Sequence, residues 1–132
     1  HEGEAAMRLE ALASRSDDRG FYELGNIKCV IDPAQMFEGL VVDLAKGESE
    51  AVIARRCHGT IAKAFSDLAR RVAAEASAET IALSGGCFQN SLLLTMVAEH
   101  LHNFELCGPG QVPVNDGGIA FGQSLVALAQ TA

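Results

Sequence analysis

A change of texture near residue 77 constrains this chain more than any other feature. Before it the sequence favours helices; after it the sequence alternates strand and helix with glycine turns between. Thr80-Ile81-Ala82-Leu83 is a short apolar run that ends in Ser84-Gly85-Gly86. Helical periodicity then returns from Phe88 to His102 through Leu92, Leu93, Met96, Val97 and Leu101. Phe104 to Cys107 reads as a second strand, Gly108-Pro109-Gly110 as a turn, and about Gly117 to Ala129 as a last helix. That order is the signature of an α/β fold.

The first part predicts three helices. Glu2 to Ser14 carries Ala5, Leu9, Ala11 and Leu12 in a helix-favouring stretch, and Ser14 to Gly20 is a polar loop. Phe21 to Leu24 and Ile27 to Ile31, separated by Gly25-Asn26, predict a hairpin. Asp32-Pro33 suits a helix start, with Met36, Leu40, Val41 and Leu44 on one face and Gly47 as the stop. A longer helix over about Ser49 to Ala76 has Val52, Ile53, Cys57, Thr60, Ile61, Ala64, Phe65, Leu68 and Val72 as its apolar stripe. The domain expectation is one lobe over 1–132, helical to about 76 and strand–turn–helix from about 77.

Charge narrows the function classes. The formal net charge is −7, with no run of consecutive basic residues, which disfavours nucleic acid as a partner. No apolar run approaches the roughly 20 residues that span a bilayer, so no membrane partner is expected. No secretory leader is seen, and Cys29, Cys57, Cys87 and Cys107 form no C-x-x-C pair; they read as reduced thiols, with the cytoplasm as the expected location.

The chemistry concentrates in two turns. Ser84-Gly85-Gly86-Cys87 joins a strand end to a helix start, where glycines allow close approach and the N–H groups of a first helical turn point at an anion or nucleotide. Val114-Asn115-Asp116-Gly117-Gly118 again precedes a helix, and Asp116 suits either a helix cap or a metal ligand. A lone turn of this kind is more often turn chemistry alone. Two of them at the ends of successive strands point to a nucleotide cleft. Neither fits the P-loop or dinucleotide fingerprints. His100 and His102 do not share a helix face and suit a solvated helix end. Cys57 and His58, about 100° apart on a helix, do not make a direct dyad. Cys87 suits a small space-filling role, or a thiol activated by a helix N-terminus.

Four strings go further together. They are Glu2-Gly3-Glu4-Ala5-Ala6-Met7-Arg8-Leu9-Glu10, Arg55-Arg56-Cys57-His58-Gly59-Thr60, Leu83 to Asn90 with Leu92-Leu93-Leu94, and Gln111 to Gln123. In this order they resemble the C-terminal part of the HypF family of hydrogenase-maturation carbamoyltransferases. The resemblance implies a ribonuclease-H-like lobe of the actin/hexokinase type (ASKHA) with a helical insertion, similar to the universal tRNA threonylcarbamoyltransferase. It implies that Gly3, Ser84, Gly85, Gly86, Asn90 and Gly117 face ATP or carbamoyl adenylate, and that Asp116 binds a divalent metal. The implied reaction moves carbamoyl from the adenylate to the C-terminal cysteine of HypE. The implied partners are HypE and the remainder of the HypF chain.

Departures from the family pattern are Ser91 in place of a frequent Arg, Cys57 in place of Phe and His1 in place of Tyr. The acylphosphatase-like, zinc-binding and adenylate-forming regions lie outside these residues, as do the paired histidines of the metal site. No catalytic residue is therefore expected in this segment alone, and the isolated segment is expected to be inactive. Two other readings remain at this stage: a related carbamoyltransferase with a small-molecule acceptor, and a non-enzymatic interaction module.

Overall fold

The computed structural model describes residues 3–25, 30–108, 110, 112–113 and 115–131. Along the chain come α1 (Glu4–Ala13), α2 (Ala34–Ala45), α3 (Glu50–Ala76), β1 (Thr80–Ala82), α4 (Ser91–His100), β2 (Glu105–Cys107) and α5 (Ile119–Thr131). Short 3-10 turns over Gly86–Gln89 and Asp116–Gly118 lead into α4 and α5. The expected continuous helix from Phe88 is thus a 3-10 turn followed by α4.

β1 and β2 pair in parallel, with Ile81 opposite Leu106. The pairing reaches beyond the strands: Leu83 N–H donates to the Cys107 carbonyl at 2.7 Å, and Glu105 N–H to that of Glu79 at 3.0 Å. Parallel neighbours need a crossover, and α4 supplies it. The α/β reading holds.

Helix α3 is the spine, packing against α1, α2 and α4. Its start is capped by Ser49, whose hydroxyl accepts from Val52 N–H at 3.3 Å. It ends at Ser77 in the left-handed region, where Ala78 N–H reaches back to the Ala73 carbonyl. Two apolar clusters lie on it. Ala62 joins Leu83, Val97 and Leu101, while Ile53 and Cys57 pack on Tyr22 with Met36 and Leu40 of α2.

The expected stripe of α3 is right only in part. Ile53, Cys57, Thr60 and Ala64 are buried, but Ile61, Phe65 and Val72 are exposed. The rest of the buried surface comes from Ala54, His58, Ala62, Ser66 and Ala73. Helix axes approach closest where side chains are small, so the face that packs is not the one with the largest apolar groups. In α2, likewise, Met36 and Leu40 pack inward while Val41 and Leu44 are exposed.

The expected hairpin does not form among the described residues. Phe21 to Gly25 and Val30 to Ile31 are irregular, and Ile27 to Cys29 lie outside the described residues. Tyr22 N–H donates to the Thr60 hydroxyl at 2.8 Å, which docks the segment on α3 in place of a strand ladder. Arg56 secures the same region. Its guanidinium donates to Asp43 at 2.7 Å and to both oxygens of Asp18 at 3.1 and 3.2 Å, and the Tyr22 hydroxyl donates to Asp43 at 3.0 Å. The Arg56 hydrogen bonds hold both carboxyls below the usual carboxylate range, and burial followed by the Asp43 contact pushes the Tyr22 hydroxyl up.

Candidate functional site

Parallel strands send their carboxyl ends the same way, so the loops after β1 and β2 open at one end of the lobe. After β1, Leu83 is buried and the chain turns at Gly85, with φ 102° and ψ 160°. That region of backbone space is essentially restricted to glycine. A Cβ at Gly85 or Gly86 would meet nothing within 4 Å, so the turn borders open space. After β2, Asn115 caps the next turn, its side-chain oxygen accepting from Gly117 N–H at 3.1 Å. Gly118 lies hard against Pro113, whose carbonyl oxygen leaves no room for an added Cβ.

The two turns meet. Ser84, Gly85 and Gly86 face Asn115, Asp116 and Gly118 across a hollow of about 670 Å³, which Gly108 and Gly110 also border. A second hollow of about 540 Å³ shares Gly86, Asn115 and Asp116 with the first and adds Gly3, Gln89 and Gly117. Gly3, at φ 77°, is the residue from which α1 starts. Of the residues singled out from the sequence, Gly3, Ser84, Gly85, Gly86, Asp116 and Gly117 are therefore brought together.

Asn90 lines neither hollow. Its side-chain oxygen accepts from Leu93 N–H at 2.8 Å, and its amide nitrogen lies 2.9 Å from His58 Nε2. Glu10 of α1 occupies the same helix end, accepting from Leu92 N–H at 3.2 Å and from the Ser91 hydroxyl at 2.9 Å. A carboxylate at a helix N-terminus is well placed against the helix dipole. The Leu92 and Leu93 N–H groups at the start of α4 are thus spent inside the fold. The glycine turn itself borders the hollow.

Asp116 is exposed, and its carboxylate has no partner among the described residues. The cap role belongs to Asn115, which removes the helix-cap reading of Asp116. The described residues contain no group of three His, Cys, Asp or Glu that would hold a metal ion. Hard divalent cations take about six or more oxygen ligands. Asp116 fits such an ion as a single donor, and further ligands must come from beyond these residues.

The remaining candidates fall away from the hollows. Cys57 is packed with Tyr22 and Ile53, where burial pushes its thiol up, and His58 bonds to Ala54 and Asn90; they form no dyad. Cys87 is exposed. His102 Nδ1 lies 2.9 Å from the Glu99 carbonyl at the end of α4. Sequence reasoning assigned no role to Gln89 and Asn115, which line the hollows. Glu10, which closes the string that opens on Glu2, holds the start of α4 and lines neither hollow.

Comparison with known proteins identifies the family. Residues 1–123 match the family described as Carbamoyltransferase, Kae1-like Domain, second subdomain. The chain is 45% identical over 133 residues to the carbamoyltransferase HypF of Rhodobacter capsulatus, covering 98% of this chain and 17% of that protein. It is 36% identical to HypF of Rhizobium leguminosarum bv. viciae, covering 96% of this chain and again 17% of the relative. A crystal structure of full-length HypF in the phosphate- and nucleotide-bound form matches with a TM-score of 0.88 at 36% identity, over 96% of this chain and 21% of that one. HypF of T. kodakarensis matches at 0.86 and 29%, over 96% and 17%. The chain thus spans about a sixth of the length of the curated relatives it matches. The fold is the α/β, ribonuclease-H-like lobe of an actin/hexokinase-type domain with a helical insertion. The chain belongs to the HypF carbamoyltransferase family, as the second subdomain of its Kae1-like domain.

Proposed function

We propose that this lobe forms one wall of an adenylate site in a HypF-type carbamoyltransferase, which passes carbamoyl from carbamoyl adenylate to the C-terminal cysteine of HypE. The observation that carries the reading is the meeting of Ser84–Gly86 with Asn115–Gly118 at the carboxyl ends of two parallel strands. A full-length HypF that is 36% identical over the matched residues has been crystallised in a phosphate- and nucleotide-bound form, which supports nucleotide binding by the full-length protein. Gly85 and Gly86 let the backbone come close to a phosphate, and Gly3 brings the start of α1 beside them. Asp116 adds one hard oxygen for a divalent ion, and such an ion would neutralise charge on the phosphoryl group. Fixing the adenylate against this wall leaves its carbonyl positioned for a thiol that approaches from outside.

The remainder of the HypF chain supplies the opposite wall and the other metal ligands. The isolated lobe accordingly binds adenine nucleotide weakly and transfers no carbamoyl, because half a cleft covers too little of the ligand. The whole protein works in the cytoplasm, without nucleic acid or membrane as a partner.

Asp116→Ala in the full-length protein tests the assignment. The expected outcome is lost metal content and lost carbamoyl transfer with an unchanged melting temperature, since Asn115 and not Asp116 caps the turn. Normal metal content and rate would remove Asp116 from the site. A melting temperature lowered by the equivalent of about 0.5–2 kcal/mol would make it a cap instead.

A further inference from the structure

We infer that His58 is the positioning residue of the adenylate turn, acting through Asn90 and not on the ligand; this rests on the adenylate reading above. His58 is 5% exposed, in the middle of α3, and both of its ring nitrogens are engaged. Nδ1 lies 2.9 Å from the Ala54 carbonyl, which can only accept, so Nδ1 carries the hydrogen. Nε2 lies 2.9 Å from the Asn90 amide nitrogen. The Asn90 amide cannot be turned about, because its oxygen is held by Leu93 N–H at 2.8 Å. The amide therefore donates, and the Nε2 lone pair of His58 faces Asn90.

Asn90 is the joint between the glycine turn and α4. Its N–H donates to the Cys87 carbonyl inside the turn at 3.2 Å, and its carbonyl accepts from Leu94 N–H at 3.0 Å. Three groups of Asn90 thus serve the turn and the helix, and the fourth is anchored to α3. That anchor is one side-chain bond across 32 residues of sequence. Filling the space under α4 needs no acceptor at Nε2. Fixing the rotation of Asn90, and with it the pose of Gly85 and Gly86, does.

The test uses the full-length protein and a non-hydrolysable acyl-adenylate analogue. Gly86→Ala places a methyl in both hollows without touching the fold, so the binding it removes is the part due to this lobe. His58→Asn keeps a polar group near Nδ1 and cannot reach Asn90, whereas His58→Gln places its amide oxygen near Nε2. His58→Asn should weaken this binding about tenfold, the worth of one neutral hydrogen bond at the upper end of its range. His58→Gln should restore it to within about threefold, and kcat at saturation should hold in both. Asn90→Ser keeps the helix cap and is too short for His58. It should show the same loss, with no further loss in the double variant with His58→Asn. Unchanged affinity in Asn90→Ser and His58→Asn, no rescue by glutamine, or a loss confined to kcat would overturn the inference. If His58→Asn does not fold, Asn90→Ser alone decides. If Gly86→Ala removes no binding, the adenylate reading itself fails and takes this inference with it.

Discussion

Replacing Gly85 or Gly86 by alanine adds the same methyl at neighbouring points with different consequences. At Gly85 the backbone sits at φ 102° and ψ 160°, and a side chain there is strained by about 1–3 kcal/mol. The cost is purely conformational, because nothing lies within 4 Å of the added atom. Gly86 also has open space around it and is not at positive φ, so alanine there leaves stability nearly unchanged. Its methyl instead enters both hollows. Amide hydrogen exchange at β1 and α4 of the full-length protein reads local stability directly. Gly85→Ala should speed that exchange roughly five- to 150-fold, the range that follows from 1–3 kcal/mol. Gly86→Ala should leave exchange within about twofold and still weaken adenylate-analogue binding. Equal exchange in the two variants, or faster exchange in Gly86→Ala, would refute the distinction between a strained glycine and a space-keeping one.

Two further outcomes follow from the packing. Arg56 holds Asp18 and Asp43 below their ordinary value of 3.8, so their contribution is present above about pH 4 and is lost as pH falls through the lowered values. Acid titration monitored by exchange in α3 should therefore show Arg56→Gln less stable at neutral pH, with the gap closing below about pH 4; a gap independent of pH would contradict the ion-pair account. Leu101 is 1% exposed in the cluster of Ala62, Leu83 and Val97, so Leu101→Ala should destabilise this lobe by about 2–5 kcal/mol, and a cost near zero would show that the cluster collapses around the void.

Much of the site was legible because it is local. Strand ends, paired glycines and helix starts are written within a few residues of one another, and parallel strands then bring both turns to one end. Local signals also placed the ends of α3 correctly at Ser49 and Ala76. What stayed hidden depends on distant partners. Glu10 meets Leu92 across 82 residues and His58 meets Asn90 across 32, and no local pattern encodes either contact. The stripe on α3 was misread at Ile61, Phe65 and Val72 because periodicity ranks residues by hydrophobicity, while close helix packing selects for small size at Ala54, Ala62 and Ser66. The hairpin was misread at Phe21 to Leu24, where Tyr22 N–H donates to the Thr60 hydroxyl and no strand forms among the described residues. Exposed Phe121, Leu125, Val126 and Leu128 on α5 fit a lobe that makes up about a sixth of the relatives' length.

The central claim is that the two glycine turns together form a wall against an adenylate. A crystal structure of the full-length protein with a non-hydrolysable acyl-adenylate analogue measures this most directly. The account predicts the analogue's phosphoryl group within hydrogen-bonding distance of the backbone at Gly85 and Gly86, with the Asn115–Gly118 turn across from it. An analogue bound at full occupancy elsewhere in the chain, with both turns facing only solvent, would contradict it.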